Sequence, residues 1–391
     1  MKKTLKNFIL ASLALSIFLS QPIVSYAQSA DNTSTVNISS YIYEPTTDWY
    51  SERFTDGFLN IELMMKNGFT RYEALEVQNQ MRDMLNANPT FKELEINDKG
   101  KELFVTKDKL VLDTLEKAIQ NVKDKKIFEN PVPKQLKGDE FYVAFDLDET
   151  LLSHYYDASS KGGKYYDYTL TKHDHILKPV VLSPNYIKLT PNWEKALKDI
   201  SKIPNCKGIY LFTAKDDVSA NEIADIVKID GKPLRSFVKG VLTRNYLSRE
   251  DSPTKNSKDL RMIDETLKHV ILVDDNPARI FENQQENLKE FPKFNIDAYY
   301  EAKKTNNKKV IDYFEKLMPR MVDEIKEAAE YARKNKNVSF VDAYYPYSMK
   351  GNAEVLMLVG QGYSLKSAEE FVRKNTKAFD APFFYIESKN F

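Results

Sequence analysis

The stretch FYVAFDLDETLL, Phe141–Leu152, runs five apolar or aromatic residues straight into two aspartates one residue apart, Asp146 and Asp148. A short apolar run bounded by polar residues reads as a strand buried on both faces. Residues two apart in a strand point the same way, so Asp146 and Asp148 are expected to present both carboxylates at one place as the strand gives way to a loop. In an open parallel sheet, ligands bind beyond the carboxyl ends of the strands. D-x-D also opens a calcium loop, but such a loop needs glycine where this chain has Leu151 and follows a helix rather than a strand, which rejects calcium.

Outward from this stretch the same grammar recurs. GIYLF (208–212), HVILV (269–273) and NIDAYY (295–300) read as strands, and NWEKALKDIS, VSANEIADIVK and SKDLRMIDETL read as helices between them. Alternating strands and helices predict an α/β fold, a doubly wound parallel sheet covered on both faces. The insertion Ser153–Lys188 carries KYYDYTL and KPVVLS, whose alternation predicts a small β flap. Helical flanks lie on either side: TRYEALEVQNQMRDML, with a capping box at Thr70 and Glu73, and KDKLVLDTLEKAIQNVKDK before the sheet, KKVIDYFEKLMPRMVDEIKEAAEYARK after it. Gly68-Phe69-Thr70 and Gly362-Tyr363-Ser364 echo each other, as a glycine stop followed by a hydroxyl cap between consecutive helices does.

The N-terminus reads as an export signal: a basic start, MKKTLKN, an apolar dozen, FILASLALSIFL, and the small-x-small SYA that signal peptidase cuts. A cut after Ala27 and a secreted or periplasmic destination are expected. The apolar run is interrupted by Gln21 and Pro22 and is too short for a spanning helix, so no stable membrane anchor is expected. The resulting organisation is 1–27 signal peptide, 28–138 polar arm and helical region, 139–320 α/β domain, 321–391 helical region. Basic and acidic residues balance at 57 each among 391 residues, which gives no footprint for nucleic acid. Cys206 is the sole cysteine, which excludes an internal disulfide, a thiol nucleophile and a cysteine zinc site, and leaves a packing role.

Other strand ends carry groups that complement the two aspartates. GIYLFTAKDD ends a strand on Thr213, HVILVDDNPAR ends one on Asp274 and Asp275, and TKNSKDL places Lys255 and Lys258 before a predicted helix. Asp146-Leu147-Asp148-Glu149-Thr150, Thr213, Lys258 and Asp274-Asp275 resemble, in order, the four motifs of the haloacid dehalogenase superfamily. DLDETLL, LFTAK, KDL and VDDNPA are most similar to the branch of RNA polymerase II C-terminal-domain phosphatases and NLI-interacting-factor-like proteins, over about 139–320. Secreted acid phosphatases of the superfamily also carry D-x-D-E-T after a signal peptide, with a different second motif. The chain departs from the branch at Thr190, where an arginine is common, and in a longer spacer between the second and third motifs.

The resemblance implies a haloacid-dehalogenase-like phosphomonoesterase, dependent on Mg2+ and acting through an aspartyl-phosphate. Asp146 is the expected nucleophile and Asp148 the expected acid and base, two carboxylates separated in role by their environments. Mg2+ takes oxygen ligands, implied here as Asp146, the backbone carbonyl of Asp148, and Asp275 or Asp274. Thr213 is expected to hydrogen-bond a phosphoryl oxygen and Lys258 to supply fixed positive charge; Lys258 is preferred to Lys255 because Lys258-Asp259-Leu260 is the part that matches. The substrate is expected to be a phosphorylated small molecule or a phosphoprotein.

Residues outside this set read more plainly. His154 reads as a solvated flap residue, with a leaving-group pocket as the alternative; His173 and His175 lack a third ligand for zinc. Tyr155, Tyr156, Tyr165, Tyr166 and Tyr168 read as strand packing, and Asn32, Asn37 and Asn337 head glycosylation sequons. Two other functions remain: an exported protein that binds a partner through its helical flanks around a vestigial core, and a phosphotransferase. A P-loop kinase is disfavoured by the missing G-x-x-x-x-G-K-[ST] loop.

Overall fold

Alternation along Phe141–Phe145 sends Phe141, Val143 and Phe145 into one hydrophobic core and Tyr142 and Ala144 into another, so this strand is the middle layer of a three-layer molecule. The computed structural model describes residues 37–42, 59–91, 108–126, 130–131, 133–155, 166–171, 185–248, 257–281 and 283–375. All elements below lie in one unit, Ile38–Phe391.

The strands are β1 (Phe141–Phe145), β2 (Leu152–Tyr155), β3 (Tyr168–Leu170), β4 (Asn185–Leu189), β5 (Cys206–Phe212), β6 (Lys228–Ile229), β7 (Lys232–Pro233), β8 (Gly240–Leu242), β9 (Val270–Asp274) and β10 (Leu288–Glu290). The helices are α1 (Ile61–Lys66), α2 (Arg71–Ala87), α3 (Lys109–Lys123), α4 (Trp193–Ser201), α5 (Asp217–Ile226), α6 (Ile296–Thr305), α7 (Lys308–Lys334), α8 (Phe340–Tyr344), α9 (Met349–Gly360) and α10 (Leu365–Lys374).

Five strands form a parallel sheet in the order β10-β9-β1-β5-β8, the expected doubly wound α/β arrangement. The chain moves outward from β1 through β5 to β8, then returns to β9 on the other side of β1. This reversal makes a crevice at the carboxyl end of β1. Phe145 lies opposite Leu211 of β5 and Val273 of β9, so Asp146, Thr213 and Asp274 leave three adjacent strands at nearly one level. The flap is a separate antiparallel sheet, β2-β4-β3.

The flanks form the outer layers. Helices α1, α2 and α3 pack Met64, Tyr72, Leu75 and Leu115 against Tyr142, Ala144, Phe212 and Leu272 on one face of the sheet. On the other face α4, α5 and α7 pack against Val143, Phe145, Leu211 and Val273. Buried α7 positions Phe314, Leu317, Met318, Met321, Val322 and Ile325 recur at helical spacing. Replacing the fully buried Met318 by Ala is expected to cost about 2–5 kcal/mol from lost transfer energy and the cavity left behind, read as a lower urea midpoint at unchanged slope.

The capping box is present: Glu73 N donates to Thr70 Oγ1 at 3.1 Å and Thr70 N to Glu73 Oε2 at 2.8 Å. Gly68 and Gly362 both end helices in the left-handed region, at φ of 94° and 98°.

Two expected elements differ. NIDAYY is the start of α6, because the Asn295 side chain caps it by accepting from Ala298 N at 2.9 Å, and Ile296, Tyr299 and Ala302 are the residues buried. The apolar alternation at Ile296, Ala298 and Tyr300 imitates a strand; the fifth sheet strand is β10 instead. SKDLRMIDETL forms only a 3-10 turn, Leu260–Met262, in which the Asp259 side chain accepts from Arg261 N and the Gln284 side chain from Leu260 N. KPVVLS lies outside the described residues.

Candidate active site

The site is assembled where β1, β5 and β9 end. Asp146 N donates to Val273 O at 2.9 Å, which keeps the residue in register one step beyond the strand. Glu149 then takes a φ of 59°, a left-handed turn that folds Leu151 and Leu152 N–H groups back onto Leu147 O, both at 3.0 Å. The turn is tied to the C-terminal part of the domain by Phe294 N, which donates to Glu149 O at 3.0 Å.

Lys258 is the central cation. Its side chain is 1% exposed, and Nζ lies 2.7 Å from Asp146 Oδ1 and 2.6 Å from Asp274 Oδ2. The backbone around it is pinned on both sides: Lys258 N donates to Arg279 O at 2.6 Å and Phe281 N to Lys258 O at 3.1 Å. Next door, buried Asp259 takes Arg71 Nε of α2 at 3.2 Å and Gln284 Nε2 at 2.8 Å, so the N-terminal flank holds the segment that presents Lys258.

Asp274 also accepts from Asn276 N at 2.8 Å. Asp275 has longer contacts, Thr150 Oγ1 at 3.4 Å and Lys293 Nζ at 3.3 Å. Asp146, Asp274 and Asp275 are all buried, and each offers a carboxylate oxygen within 4.8 Å of the other two. Asp146 Oδ1, close as it is to Lys258, has no well-directed hydrogen bond. This all-oxygen donor set with an under-satisfied buried carboxylate fits a hard divalent cation such as Mg2+.

Asp148 sits in a different setting. Its side chain is 38% exposed, with His154 Nδ1 3.0 Å from Oδ1 and Lys215 Nζ 3.1 Å from Oδ2. Burial works against ionisation of Asp148, but the His154 ring and the Lys215 charge outweigh it and hold the carboxyl well below its ordinary range. For Asp146 burial dominates: with Asp274 and Asp148 adding repulsion and Lys258 only partly compensating, its pKa is pushed up to about 7. Burial tends to neutralise Lys258, but Asp146 and Asp274 together raise its pKa. Burial and the neighbouring Asp274 raise Asp275.

Thr213 is fully buried at the end of β5; its N–H donates to Leu242 O at 2.8 Å and its Oγ1 accepts from Lys215 N at 3.2 Å. The fold thus gathers Asp146, Lys258 and Asp274 in direct contact, with an Asp275 oxygen within 4.8 Å of both aspartates, and Asp148 and Thr213 on the adjoining loops. Lys255, His173, His175, Tyr156, Tyr165 and Asn32 lie outside the described residues. His154 is not a solvated flap residue: β2 points it at Asp148, and its side chain is only 10% exposed. Thr150, Lys215 and Lys293 carried no assignment from the sequence, although Thr150 and Lys215 stand inside DLDETLL and LFTAK. Thr190 is structural: its Oγ1 donates to Thr150 O at 2.7 Å, buried. Cys206 packs against the core, and burial pushes its thiol up to about 11, so it holds no thiolate at neutral pH.

Residues 141–326 match the model of the NLI interacting factor-like phosphatase family. No curated protein sequence matches the chain. Among solved structures the chain is similar to fission yeast RNA polymerase II CTD phosphatase Fcp1 bound to beryllium fluoride, at 18% identity, covering 61% of this chain and 64% of that one, with a TM-score of 0.30. A second structure, of Fcp1 as an essential RNA polymerase II CTD phosphatase, gives 20% identity, the same coverages and a TM-score of 0.30. The chain therefore spans 64% of the length of these solved chains.

The family match corrects the secreted or periplasmic destination expected from residues 1–27, because phosphatases of this family are nuclear or cytoplasmic proteins. A basic start and an apolar dozen form a compositional pattern short enough to arise without export; those residues lie outside the described ones. Among the described residues no helix is long and apolar enough to cross a membrane. Motif order, parallel sheet and family match agree: residues 141–326 are a phosphatase domain of the NLI interacting factor-like branch of the haloacid dehalogenase superfamily.

Proposed function

We propose that the domain is a Mg2+-dependent phosphomonoesterase that works through an aspartyl-phosphate on Asp146. The observation that carries this reading is the buried Lys258 ammonium set between Asp146 and Asp274 at the ends of the central strands. A lone carboxylate pair would repel a phosphate, whereas a fixed ammonium at the nucleophile attracts the phosphoryl group and balances charge as it transfers.

In the first step an Asp146 oxygen attacks phosphorus, the bond from phosphorus to the ester oxygen breaks, and Asp148 gives its proton to that oxygen so that a neutral alcohol leaves. In the second step Asp148 takes a proton from water, the resulting oxygen attacks phosphorus, and the bond to Asp146 breaks to return its carboxylate and release phosphate. Thr213 and Lys258 donate to the phosphoryl oxygens. Mg2+ would be held by Asp146, the backbone carbonyl of Asp148 and Asp275, whose present contacts are longer than the short hydrogen bonds that occupy both oxygens of Asp274. When bound it supplies positive charge that keeps Asp146 ionised and orients the phosphate.

The two carboxyl groups are separated in pKa, but in the sense opposite to their roles: Asp146 is raised and Asp148 lowered. The reading accommodates this because both roles belong to the loaded site. A cation among the carboxylates favours ionised Asp146, and the negative charge of a phosphate dianion beside Asp148 favours a proton on it. The substrate is read as a phosphorylated small molecule or a phosphoprotein.

Purified protein should hydrolyse a chromogenic phosphate ester in Mg2+ and lose about a hundredfold or more of that rate in EDTA, since a phosphoryl-clamping metal contributes several kcal/mol. Excess Mg2+ should restore the rate. Equal rates in Mg2+ and EDTA would remove the metal from the reading, and no hydrolysis across a broad phosphoester panel would remove the reading itself.

A further inference from the structure

We infer that Lys215 and His154 form a clamp that positions the Asp148 carboxylate for proton transfer, Lys215 being the jaw that fixes which oxygen faces the leaving group. The inference rests on the phosphatase reading and gives a role to Lys215, inside LFTAK, and to His154, just past DLDETLL.

Each oxygen of Asp148 has its own partner, His154 Nδ1 at 3.0 Å from Oδ1 and Lys215 Nζ at 3.1 Å from Oδ2. The partners also touch each other, Lys215 Nζ to His154 Nδ1 at 3.0 Å. With the Lys215 ammonium at one oxygen and the imidazole packed against the other, the carboxylate has its rotation about the Cβ–Cγ bond restricted, which is the freedom an acid/base group must lose to meet a leaving oxygen at hydrogen-bond distance. Both jaws have side chains 10% exposed, while Asp148 itself is 38% exposed, so the clamp lies behind the carboxylate and leaves it open to substrate.

One ring nitrogen cannot serve both its contacts as hydrogen bonds at once. The Lys215 ammonium can only donate, so Nδ1 accepts from it, and the 3.0 Å approach of the ring to Asp148 Oδ1 is a close packing contact without a directed hydrogen bond. The two jaws come from different parts of the fold. Lys215 is set in the loop after β5, where its N–H donates to Thr213 Oγ1 at 3.2 Å and its carbonyl accepts from Arg244 N at 2.9 Å. His154 is on β2, opposite Ile187 of β4. The flap thus takes part in the chemistry by carrying one jaw, and Asp148 is held only when flap and β5 loop are both seated.

The test compares kcat and KM of the full chain in Mg2+ on 4-nitrophenyl phosphate, whose leaving oxygen departs with little need of a proton, and glycerol 2-phosphate, whose alkoxide needs one. For Lys215→Ala and His154→Ala, kcat on glycerol 2-phosphate should fall about a hundredfold, at the low end of what acid/base catalysis contributes, while kcat on the nitrophenyl ester falls less than about tenfold and KM stays within about threefold. Lys215→Arg, which keeps the charge, should recover part of the alkyl-ester rate. A merely structural role would lower both esters alike and a phosphate-binding role would raise KM; either result overturns the clamp. If Lys215→Ala loses its native circular dichroism, Lys215→Met keeps the buried stem and answers the same comparison. Wild type inactive on both esters removes the phosphatase reading, whereas an active wild type whose variants keep its ratio of rates removes the clamp alone.

Discussion

Asp146→Asn is expected to lower turnover of a chromogenic phosphate ester by about ten-thousandfold or more, the scale seen when a covalent nucleophile is removed, while the protein stays folded. An amide oxygen at this position cannot form and release an acyl phosphate, and no described neighbour replaces it: Asp274 accepts from Lys258 and Asn276 N, and Asp275 sits against Thr150 and Lys293. Stability should not follow activity. Asp146 has its pKa pushed up to about 7 by burial, with repulsion from Asp274 and Asp148 adding to the rise and Lys258 only partly offsetting it. An acid whose folded pKa is raised binds more protons folded than unfolded between about pH 4 and 7, so its contribution to stability falls as pH rises through that window. At pH 8 in EDTA the neutral isostere should melt at or above the wild-type temperature. Residual turnover above about a hundredth of wild type would show that Asp146 is not the nucleophile.

The chemistry-bearing strand ends were legible because each lies within a few residues of an apolar run. β1, β5 and β9 are buried strands of ordinary pattern, and parallel register alone brings Asp146, Thr213 and Asp274 to one edge. Lys258 was harder. It precedes no regular helix, and its place depends on backbone pairing with Arg279 and Phe281 and on Arg71 from the other end of the domain. Only the ordered resemblance singled it out from Lys255.

What the sequence hid is tertiary. His154 and Lys215 are separated by 61 residues, and their meeting at Asp148 needs the flap folded back over the β5 loop. No local period encodes that. The helical flanks read as appendages because amphipathicity says a face is buried without saying against what. Here α2 and α3 cover one face of the sheet and α7 the other, so much of the apolar surface that suggested a protein partner is spent on the domain's own core. Arginine was expected from the resemblance where Thr190 stands; a hydroxyl that ties β4 to the Thr150 carbonyl braces the turn carrying Asp148 and contributes no charge to the site.

Lys258→Met is expected to separate itself from Asp146→Asn by losing stability and activity together. The lysine is buried between Asp146 and Asp274, with Asp275 in the same cluster. Removing one partner of a buried ion pair leaves uncompensated charge and costs about 3–5 kcal/mol, to be read by urea unfolding at pH 8 in EDTA. Lys258 has a raised pKa through Asp146 and Asp274, so its stabilising effect is fully present below the unfolded value of about 10 and fades only as pH rises through the folded one. Between pH 5 and 8 the lysine is therefore charged throughout, and any pH dependence of the loss comes from the carboxylates. Asp146, its pKa pushed up to about 7 by burial, takes up a proton at pH 5, so the destabilisation should be smaller there than at pH 8. In Mg2+ the carboxylates regain a counter-charge and part of the stability should return, but the phosphoryl group does not regain its fixed donor: kcat/KM should stay about a hundredfold to a thousandfold low, the usual loss for one preorganised donor. Stability within about 1 kcal/mol of wild type at pH 8 in EDTA would mean the two aspartates are not ionised together, because a buried ionised pair cannot lose its cation that cheaply.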